Sequence, residues 1–174
     1  ALGALPVFWL ARKHVGPERA AVGFALAYLL YPAVQWMTLN EFHPVALATP
    51  LLLFALWSLD EDRLLPFAMF ATAAALTKEQ IPLILAAFGV WYALARHRPW
   101  AGTAIAAAGV VAAVVAIELV IPHFNEGASS AFYGRYDEVG GSPTGILRTA
   151  VTDPGELVSV AFDERGIDYL AALL

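Results

Sequence analysis

The sequence contains no cysteine, and only 14% of its 174 residues are charged. The absence of cysteine excludes disulfide bonds and thiolate metal sites within this stretch, and it gives no indication of the redox compartment. The low charge accompanies a hydrophobic fraction of 60% and a mean hydropathy of +0.66. Soluble domains are roughly half apolar and a quarter charged, so the composition predicts an integral membrane protein.

Other absences narrow the function classes. The sequence has no dense basic cluster, and its formal net charge is -5, so nucleic acid is not expected as a partner. It also has no phosphate-binding glycine loop, nucleophile elbow or paired-histidine zinc motif. No cleavable targeting segment is visible. The chain begins inside an apolar run at Ala1 and ends in another that starts at Tyr169, which predicts a fragment of a longer protein.

Long apolar runs separated by short polar loops fill most of the sequence. Because a bilayer offers the backbone no other hydrogen-bonding partner, each run is predicted to be a helix, and the predicted fold is an all-α, polytopic transmembrane helical bundle. The predicted spans lie at residues 1–11, 20–37, 45–59, 64–76, 81–95 and 101–121. The predicted domains are transmembrane helices with short loops at 1–121, an extracytoplasmic segment at 122–166 and the start of a further span at 167–174.

Basic side chains predict the orientation of these helices. We assume that successive loops alternate between the two sides of the membrane. The short loops of one side then carry a single basic residue, Lys78. The basic residues of the opposite side are Arg12, Lys13, Arg19, Arg63, Arg96 and Arg98. The positive-inside rule then puts the second set in the cytoplasm of a bacterial cell and the first on the extracytoplasmic face of its plasma membrane. Residues 60–63 are predicted to form a solvated cytoplasmic turn without a functional role.

The polar stretch before Pro44 carries the first candidate site residues. Proline lacks an amide proton and disfavours helical geometry at the residue before it, so a turn is predicted here. Glu41 and His43 lie two residues apart on this turn and can converge on one ligand as a base, as metal ligands or as substrate contacts. The alternative is that they only solvate the loop and that His43 caps a helix end.

The other candidate residues lie on two further outer segments. Lys78 and Glu79 follow a short predicted span, which predicts a recess below the outer surface; Lys78 can hold a phosphate there, or it simply extends to the interface. Arg135 and Tyr136 lie on a glycine-bounded loop that suits an anionic or sugar ligand, with an ordinary surface arginine as the alternative.

Two short surface helices are predicted farther along the outer segment. Ser142 and Asp153 each precede a proline, and a capping residue followed by proline is typical of a helix start. The predicted helices therefore cover residues 143–151 and 154–162.

Several short motifs carry a resemblance to a known family. They are Phe42-His43-Pro44, Leu76-Thr77-Lys78-Glu79, Phe132-Tyr133-Gly134-Arg135-Tyr136 and Gly141-Ser142-Pro143. In order and spacing they resemble a large family of uncharacterised bacterial multi-pass proteins, known only as predicted membrane proteins of unknown function. That family is similar in turn to the GT-C glycosyltransferases, polytopic enzymes that transfer a sugar from a polyprenyl-phosphate donor on the outer face.

The resemblance implies that certain residues are motif positions, but it assigns them no roles. These residues are His43, Lys78, Glu79, Arg135 and Tyr136. Enzymes of the GT-C kind usually place an essential acidic residue in the first outer loop, ahead of the residues present here. Gln80 stands where the family's Lys-Glu-Asp form has an acidic residue, which argues against a metal at that position.

The resulting hypothesis is a GT-C-like glycosyltransferase that acts in a lipid bilayer on a polyprenyl-phosphate sugar donor. Its expected catalytic residues are Glu41, His43 and Glu79, and its expected substrate-binding residues are Lys78, Arg135 and Tyr136. The residues leave open whether a divalent metal takes part. The alternatives are a transporter or flippase of a lipid or small anionic solute, and a non-catalytic membrane subunit.

Overall fold

A computed structural model describes residues 1–39, 44–124 and 143–161. Within these ranges the chain is helical and has no strand, which confirms the predicted all-α class. The chain divides into two compact units, Ala1–Ala116 and Ile117–Leu174.

The first unit contains seven helices in its described part. They are α1 (Ala4–His14), α2 (Glu18–Leu30), α3 (Pro32–Leu39), α4 (Ala48–Asp60), α5 (Leu64–Ala75), α6 (Ile81–Ala95) and α7 (Pro99–Val115). A 3-10 turn, Pro44–Leu47, leads into α4. After α7 a π-helical turn, Ala116–Val120, continues into α8 (Ile121–Phe124). The described part of the second unit also holds α9 (Pro143–Thr152) and α10 (Pro154–Ala161).

The long apolar run predicted at residues 20–37 is broken into two helices, which corrects that prediction. Tyr31 separates α2 from α3 and has an extended backbone with ψ of 123°. The cause is Pro32, whose ring disfavours the helical conformation at the residue before it and is tolerated at the first position of the helix that follows.

The two short helices of the outer segment begin at the predicted prolines. Pro143 starts α9 and Pro154 starts α10. Asp153 Oδ1 accepts a hydrogen bond of 3.2 Å from the Glu156 amide, which satisfies one of the amides that a helix start leaves unpaired. The two predicted helix starts are therefore confirmed.

Sequential helices of the first unit pack as hairpins, namely α1 with α2, α4 with α5 and α6 with α7. Further contacts join α1 to α4 and join α6 to both α4 and α5. The core between α4, α5 and α6 consists of Ala55, Leu59, Phe67, Ala71, Leu85 and Tyr92. Because hairpin neighbours run in opposite directions, the ends of these helices alternate between two sides of the unit.

Glycines allow α6 and α7 to pack backbone against backbone. A Cβ atom added at Gly102 would lie 2.5 Å from the Ala93 nitrogen, and one at Gly109 would lie 2.6 Å from the Pro82 carbonyl oxygen. Real Cβ atoms do not approach other atoms so closely. Small residues at a helix interface are a common means of close packing in membrane proteins, where dispersion contacts drive association.

Many apolar side chains face outward from the helices. Leu76 is 84% exposed, Leu65 is 74% exposed and Met69 is 66% exposed. Among the described residues, one continuous helix, Pro99–Phe124, is long and apolar enough to cross a membrane, and the apolar helices Pro44–Asp60, Leu64–Ala75 and Ile81–Ala95 are shorter. Outward apolar surface of this extent is favourable against lipid and unfavourable against water.

Candidate functional site

One end of the first unit gathers most of its charged side chains, and we call it the charged end. It comprises the end of α1, the α4–α5 turn and the α6–α7 turn. Lys13 Nζ lies 2.7 Å from Asp60 Oδ2, and Arg98 Nη2 lies 3.5 Å from Asp62 Oδ2. These contacts bring the three segments to the same end, as the predicted alternation of loops requires.

Asp60 is the buried acid of the charged end. The residue is 1% exposed, although it is the last residue of α4. Its Oδ2 atom lies 2.7 Å from Lys13 Nζ and 3.0 Å from His14 Nε2. Its Oδ1 atom is buried without a hydrogen-bond partner in the described part of the chain. A buried carboxylate is costly unless its charge is compensated, and Lys13 supplies that compensation.

Lys13 is paired with two acids at this end. Its ammonium donates to the Asp60 carbonyl oxygen at 2.9 Å and to Glu61 Oε1 at 2.7 Å, and it forms an ion pair with Asp60 Oδ2 at 2.7 Å. Burial acts to lower the pKa of Lys13, but the hydrogen bonds and charges of Asp60 and Glu61 outweigh it and raise that pKa above its ordinary 10.5.

Asp62 links the α4–α5 turn to α6 and to the turn after α6. The buried Tyr92 donates its hydroxyl to Asp62 Oδ1 at 2.7 Å, and Arg96 and Arg98 lie 3.8 and 3.5 Å from Oδ2. The hydrogen bond from Tyr92 is the largest cause of a lowered pKa for Asp62. Desolvation opposes it, and the charges of Arg98 and Arg96 add to the lowering.

Aromatic rings border the same end. The Arg63 guanidinium lies 5.5 Å from the ring centre of Trp57, within the range of a cation–π contact. Trp57 in turn packs on Trp9 with ring centres 4.6 Å apart, which adds an aromatic contact between α4 and α1. Indole rings of this kind are favoured at a membrane interface.

The prediction that residues 60–63 form a solvated turn is wrong for Asp60 and incomplete for Asp62. Asp60 faces α1 and is sealed there because it occupies the last turn of a helix that packs against α1. A sequence signal for this pairing did exist. The pair Lys13-His14 ends one apolar helix and Asp60-Glu61 ends another, and the alternation of loops puts both pairs on the same side.

A cavity of about 430 Å³ adjoins the buried acid between α1, α4 and α6. Its described lining consists of Leu10, His14, Leu56, Asp60, Ala87, Phe88 and Trp91. Two polar groups thus lie in an otherwise apolar wall.

Lys78 and Glu79 lie at the opposite end of the first unit, in the turn between α5 and α6. Both residues are half-buried. Thr77 Oγ1 donates to the Ala74 carbonyl oxygen at 2.7 Å and so caps the end of α5. In the described part of the chain, neither Lys78 nor Glu79 has a side-chain hydrogen bond or an ion pair. This turn therefore differs from the charged end, where Lys13 is fully paired.

The structure also brings the start of α4 to the Lys78 turn. Ala48, Ala74 and Ile81 form a small buried cluster there, and Val45 of the preceding 3-10 turn packs against it. Glu41, His43, Arg135 and Tyr136 lie outside the described residues, so their placement stays a prediction. Among the residues that are described, no group of three or more His, Cys, Asp or Glu side chains is placed to hold a metal ion.

Outward apolar side chains, one helix of spanning length and charges gathered at helix ends are typical of helical membrane proteins. The family described as "Predicted membrane protein (DUF2079)" matches residues 1–174, so the chain belongs to this family. No curated protein and no solved structure matches the chain. The uncharacterised membrane family predicted from the motifs is thus confirmed.

Proposed function

We propose that this chain is part of a multi-pass bacterial membrane protein that transfers a sugar from a polyprenyl-phosphate donor on the extracytoplasmic face, in the manner of GT-C glycosyltransferases. The observation that supports the proposal is the contrast between the two ends of the first unit. At the charged end, Lys13 is fully paired, whereas Lys78 at the other end is half-buried and unpaired among the described residues.

A half-buried ammonium without a protein partner suits an anionic ligand. Partial burial removes some of the water around the charge, and a phosphate oxygen restores the lost interaction as a charge-assisted hydrogen bond. Lysine is a common phosphate-binding residue because it acts as a compact point charge. We assign Lys78 to the donor's phosphate, with Arg135 as its expected second contact.

The length of α5 agrees with a recessed site. This helix has 12 residues and begins beside the charged end. At about 1.5 Å per residue it rises roughly 18 Å, whereas a bilayer core is about 30 Å thick. If the charged end lies at the cytoplasmic interface, the Lys78 turn lies below the outer surface, where the phosphate of a membrane-embedded lipid can reach it.

The remaining candidate residues complete the proposed site. Glu41 and His43 orient the acceptor hydroxyl or a divalent metal, and Glu79 supplies a second carboxylate beside Lys78. Tyr136 offers a ring on which a sugar can stack. The packing of Val45 against the cluster beside the Lys78 turn supports this grouping, because Val45 follows His43 closely along the chain.

The first prediction concerns ligand binding by the full-length protein in detergent. Wild-type protein is expected to bind a polyprenyl phosphate, and Lys78→Ala and Arg135→Ala are each expected to weaken binding by about tenfold or more, since each removes a charge-assisted contact. Lys78→Arg should retain part of the affinity because it keeps the charge. Isothermal titration against short-chain polyprenyl phosphate measures each affinity.

Arg19→Ala is the matched control, because Arg19 is exposed and belongs to the predicted cytoplasmic set. It should bind as wild type does. Unchanged affinity in both Lys78→Ala and Arg135→Ala would refute the assignment. Absence of binding by the wild-type protein would favour a transporter or a non-catalytic subunit instead.

A further inference from the structure

We propose that Arg96 and Arg98, which share Asp62, bind the phosphate of an anionic phospholipid at the charged end. The site is separate from the proposed transferase site, because the α6–α7 turn lies at the opposite end of the first unit from Lys78. The chemistry of the site follows from the charge balance of the charged end, from the position of the two arginines and from the exposed apolar side chains beside them.

Basic side chains outnumber acidic ones at the charged end. Its acids are Asp60, Glu61 and Asp62, and its lysine and arginine residues are Arg12, Lys13, Arg63, Arg96 and Arg98. Lys13 pairs with Asp60 and Glu61, so two of the three acids are already engaged between α1 and α4. The net positive charge is therefore carried by the arginines. Clusters of about four to eight basic residues beside a transmembrane helix are typical of anionic-lipid binding.

Asp62 holds two arginines side by side. Arg98 Nη2 lies 3.5 Å and Arg96 Nη2 lies 3.8 Å from the same Oδ2 atom of Asp62. One carboxylate balances one of these two charges, so one positive charge is left over. Both distances are longer than the roughly 2.7–2.9 Å of a close charge-assisted hydrogen bond, so Asp62 engages neither guanidinium tightly. The pair can therefore bind a further anion.

The two guanidinium groups keep most of their hydrogen-bond donors for a ligand. Each group carries several N–H donors in a planar fork. Within the described ranges, Asp62 is the one acceptor of both arginines. The side chains of Arg96 and Arg98 are 32% and 59% exposed, so a ligand can reach them. Phosphate oxygens match this fork in geometry and in charge, and arginine is therefore common at phosphate-binding sites.

Exposed apolar side chains on both sides of the turn favour a lipid over a free phosphate. Leu94 precedes Arg96 and is 71% exposed, and Trp100 follows Arg98 and is 89% exposed. A tryptophan in this position is typical of the membrane interface, where the phosphates of phospholipids lie. The phosphate of such a lipid contacts the arginines while its acyl chains cover the apolar side chains and remove them from water.

Native mass spectrometry of the full-length protein in detergent tests this proposal. The probe is phosphatidylglycerol, and phosphatidylcholine with the same acyl chains is the comparison lipid, because its headgroup carries no net charge. We expect the wild-type protein to bind phosphatidylglycerol about tenfold more tightly than phosphatidylcholine. Equal affinity for the two lipids overturns the proposal.

Charge-removing variants locate the bound lipid. Arg96→Gln and Arg98→Gln each remove one charge and should each weaken phosphatidylglycerol binding about fivefold. Both variants are expected to fold, because Asp62 keeps its hydrogen bond from Tyr92, and circular dichroism checks this. Arg19→Gln is the matched control, since it removes the same charge at an exposed position of α2, and it should bind as wild type does. Equal affinities of the three variants overturn the proposal.

Two further measurements separate this site from its alternatives. Glycerol phosphate at the concentration of the lipid should not displace phosphatidylglycerol; displacement assigns the site to a free phosphate and overturns the proposal. Lys78→Ala should bind phosphatidylglycerol as wild type does, and Arg98→Gln should bind polyprenyl phosphate as wild type does, because the two sites lie at opposite ends of the first unit. Loss of phosphatidylglycerol binding in Lys78→Ala but not in Arg98→Gln puts the lipid at the Lys78 turn and overturns the proposal.

Discussion

Lys13 joins two helices through a single ammonium group. Its contacts with Asp60 and Glu61 attach the end of α1 to the end of α4, and Asp60 provides the buried partner. His14 shares the same carboxylate oxygen, so one acid receives two donors. The strength of this arrangement depends on the burial of Asp60, because exposed ion pairs contribute little to stability.

Replacing Lys13 tests that strength. Lys13→Ala leaves the buried Asp60 with only His14, and it is expected to lower the free energy of unfolding by about 2 kcal/mol. Chemical unfolding in detergent, followed by circular dichroism, measures the change. Arg19→Ala serves as the control and should stay within about 0.5 kcal/mol of wild type. A Lys13→Ala variant as stable as this control would show that Asp60 does not depend on the pair.

Asp62 provides a prediction about pH. Its pKa is lowered from 3.8 in the folded protein, first by the Tyr92 hydroxyl and then by the guanidinium charges. A lowered pKa contributes stability that is present above pH 3.8 and is lost as the pH falls through the folded value. Tyr92→Phe removes the largest cause, so the pKa of Asp62 should rise toward 3.8 and stability should depend less steeply on pH in that range.

Carbon NMR of labelled aspartate carboxyls in wild type and Tyr92→Phe measures the pKa directly. Leu94→Ala is a suitable control, since Leu94 is exposed on the same helix. An unchanged pKa for Asp62 in Tyr92→Phe would contradict the assigned cause.

The individual residues of the charged end were only partly predictable. The opposite charges at the ends of α1 and α4 can be read directly from the sequence, but the burial of Asp60 cannot. Burial depends on how the two helices rotate against each other, which local composition does not determine. For Lys78, the short span before it predicts a recess below the membrane surface, and that depth stays a prediction.

At the scale of helices, prolines and apolar runs account for most of the observed bounds. The predicted spans at 64–76 and 81–95 correspond to α5 (Leu64–Ala75) and α6 (Ile81–Ala95). The run at 20–37 was the exception, because Pro32 breaks it and a count of apolar residues does not register that break. Local rules therefore predict helix bounds well where proline and hydropathy agree.

The contact between α6 and α7 provides a prediction at this scale. Gly102→Ala forces a methyl group against the Ala93 backbone and should lower the free energy of unfolding by about 1–3 kcal/mol. Gly23→Ala is the matched control in α2, where an added Cβ meets no atom within 4 Å. It should be neutral or slightly stabilising, because alanine favours helices more than glycine does. Denaturant unfolding of both variants makes the comparison.

Equal stability of the Gly102→Ala and Gly23→Ala variants would show that α6 and α7 do not pack as closely as described. A larger loss of unfolding free energy in Gly102→Ala would confirm that a side chain at this position does not fit between α6 and α7. The result depends only on helix packing and is independent of either proposed ligand.

At the scale of the whole molecule, the concentration of charged side chains at one end of the first unit predicts a membrane topology. The charged end holds the turns after α1, α4 and α6, and the Lys78 turn lies at the other end. From this arrangement the positive-inside rule predicts that the charged end lies in the cytoplasm. A multi-pass arrangement follows if the shorter apolar helices also cross the bilayer.

The absence of cysteine in this stretch makes the topology testable with single substitutions. Gln80 and Glu61 are both exposed and lie at opposite ends of the first unit. Gln80→Cys and Glu61→Cys therefore give one accessible thiol at each end. In intact cells, a membrane-impermeant maleimide should label Gln80→Cys and should label Glu61→Cys only after permeabilisation. Labelling of both variants in intact cells, or the reverse order, would contradict the proposed orientation.

The sequence by itself determined the class of the protein and most helix bounds, because hydropathy and proline act over a few neighbouring residues. It also indicated that the turns after α1, α4 and α6 share one end of the first unit, since basic residues cluster in alternate loops. Only the tertiary structure decided that Asp60 is buried, that Lys13 is its partner 47 residues away and that a cavity adjoins them. Those features depend on which faces of α1, α4 and α6 meet, and helix packing rather than local sequence selects those faces.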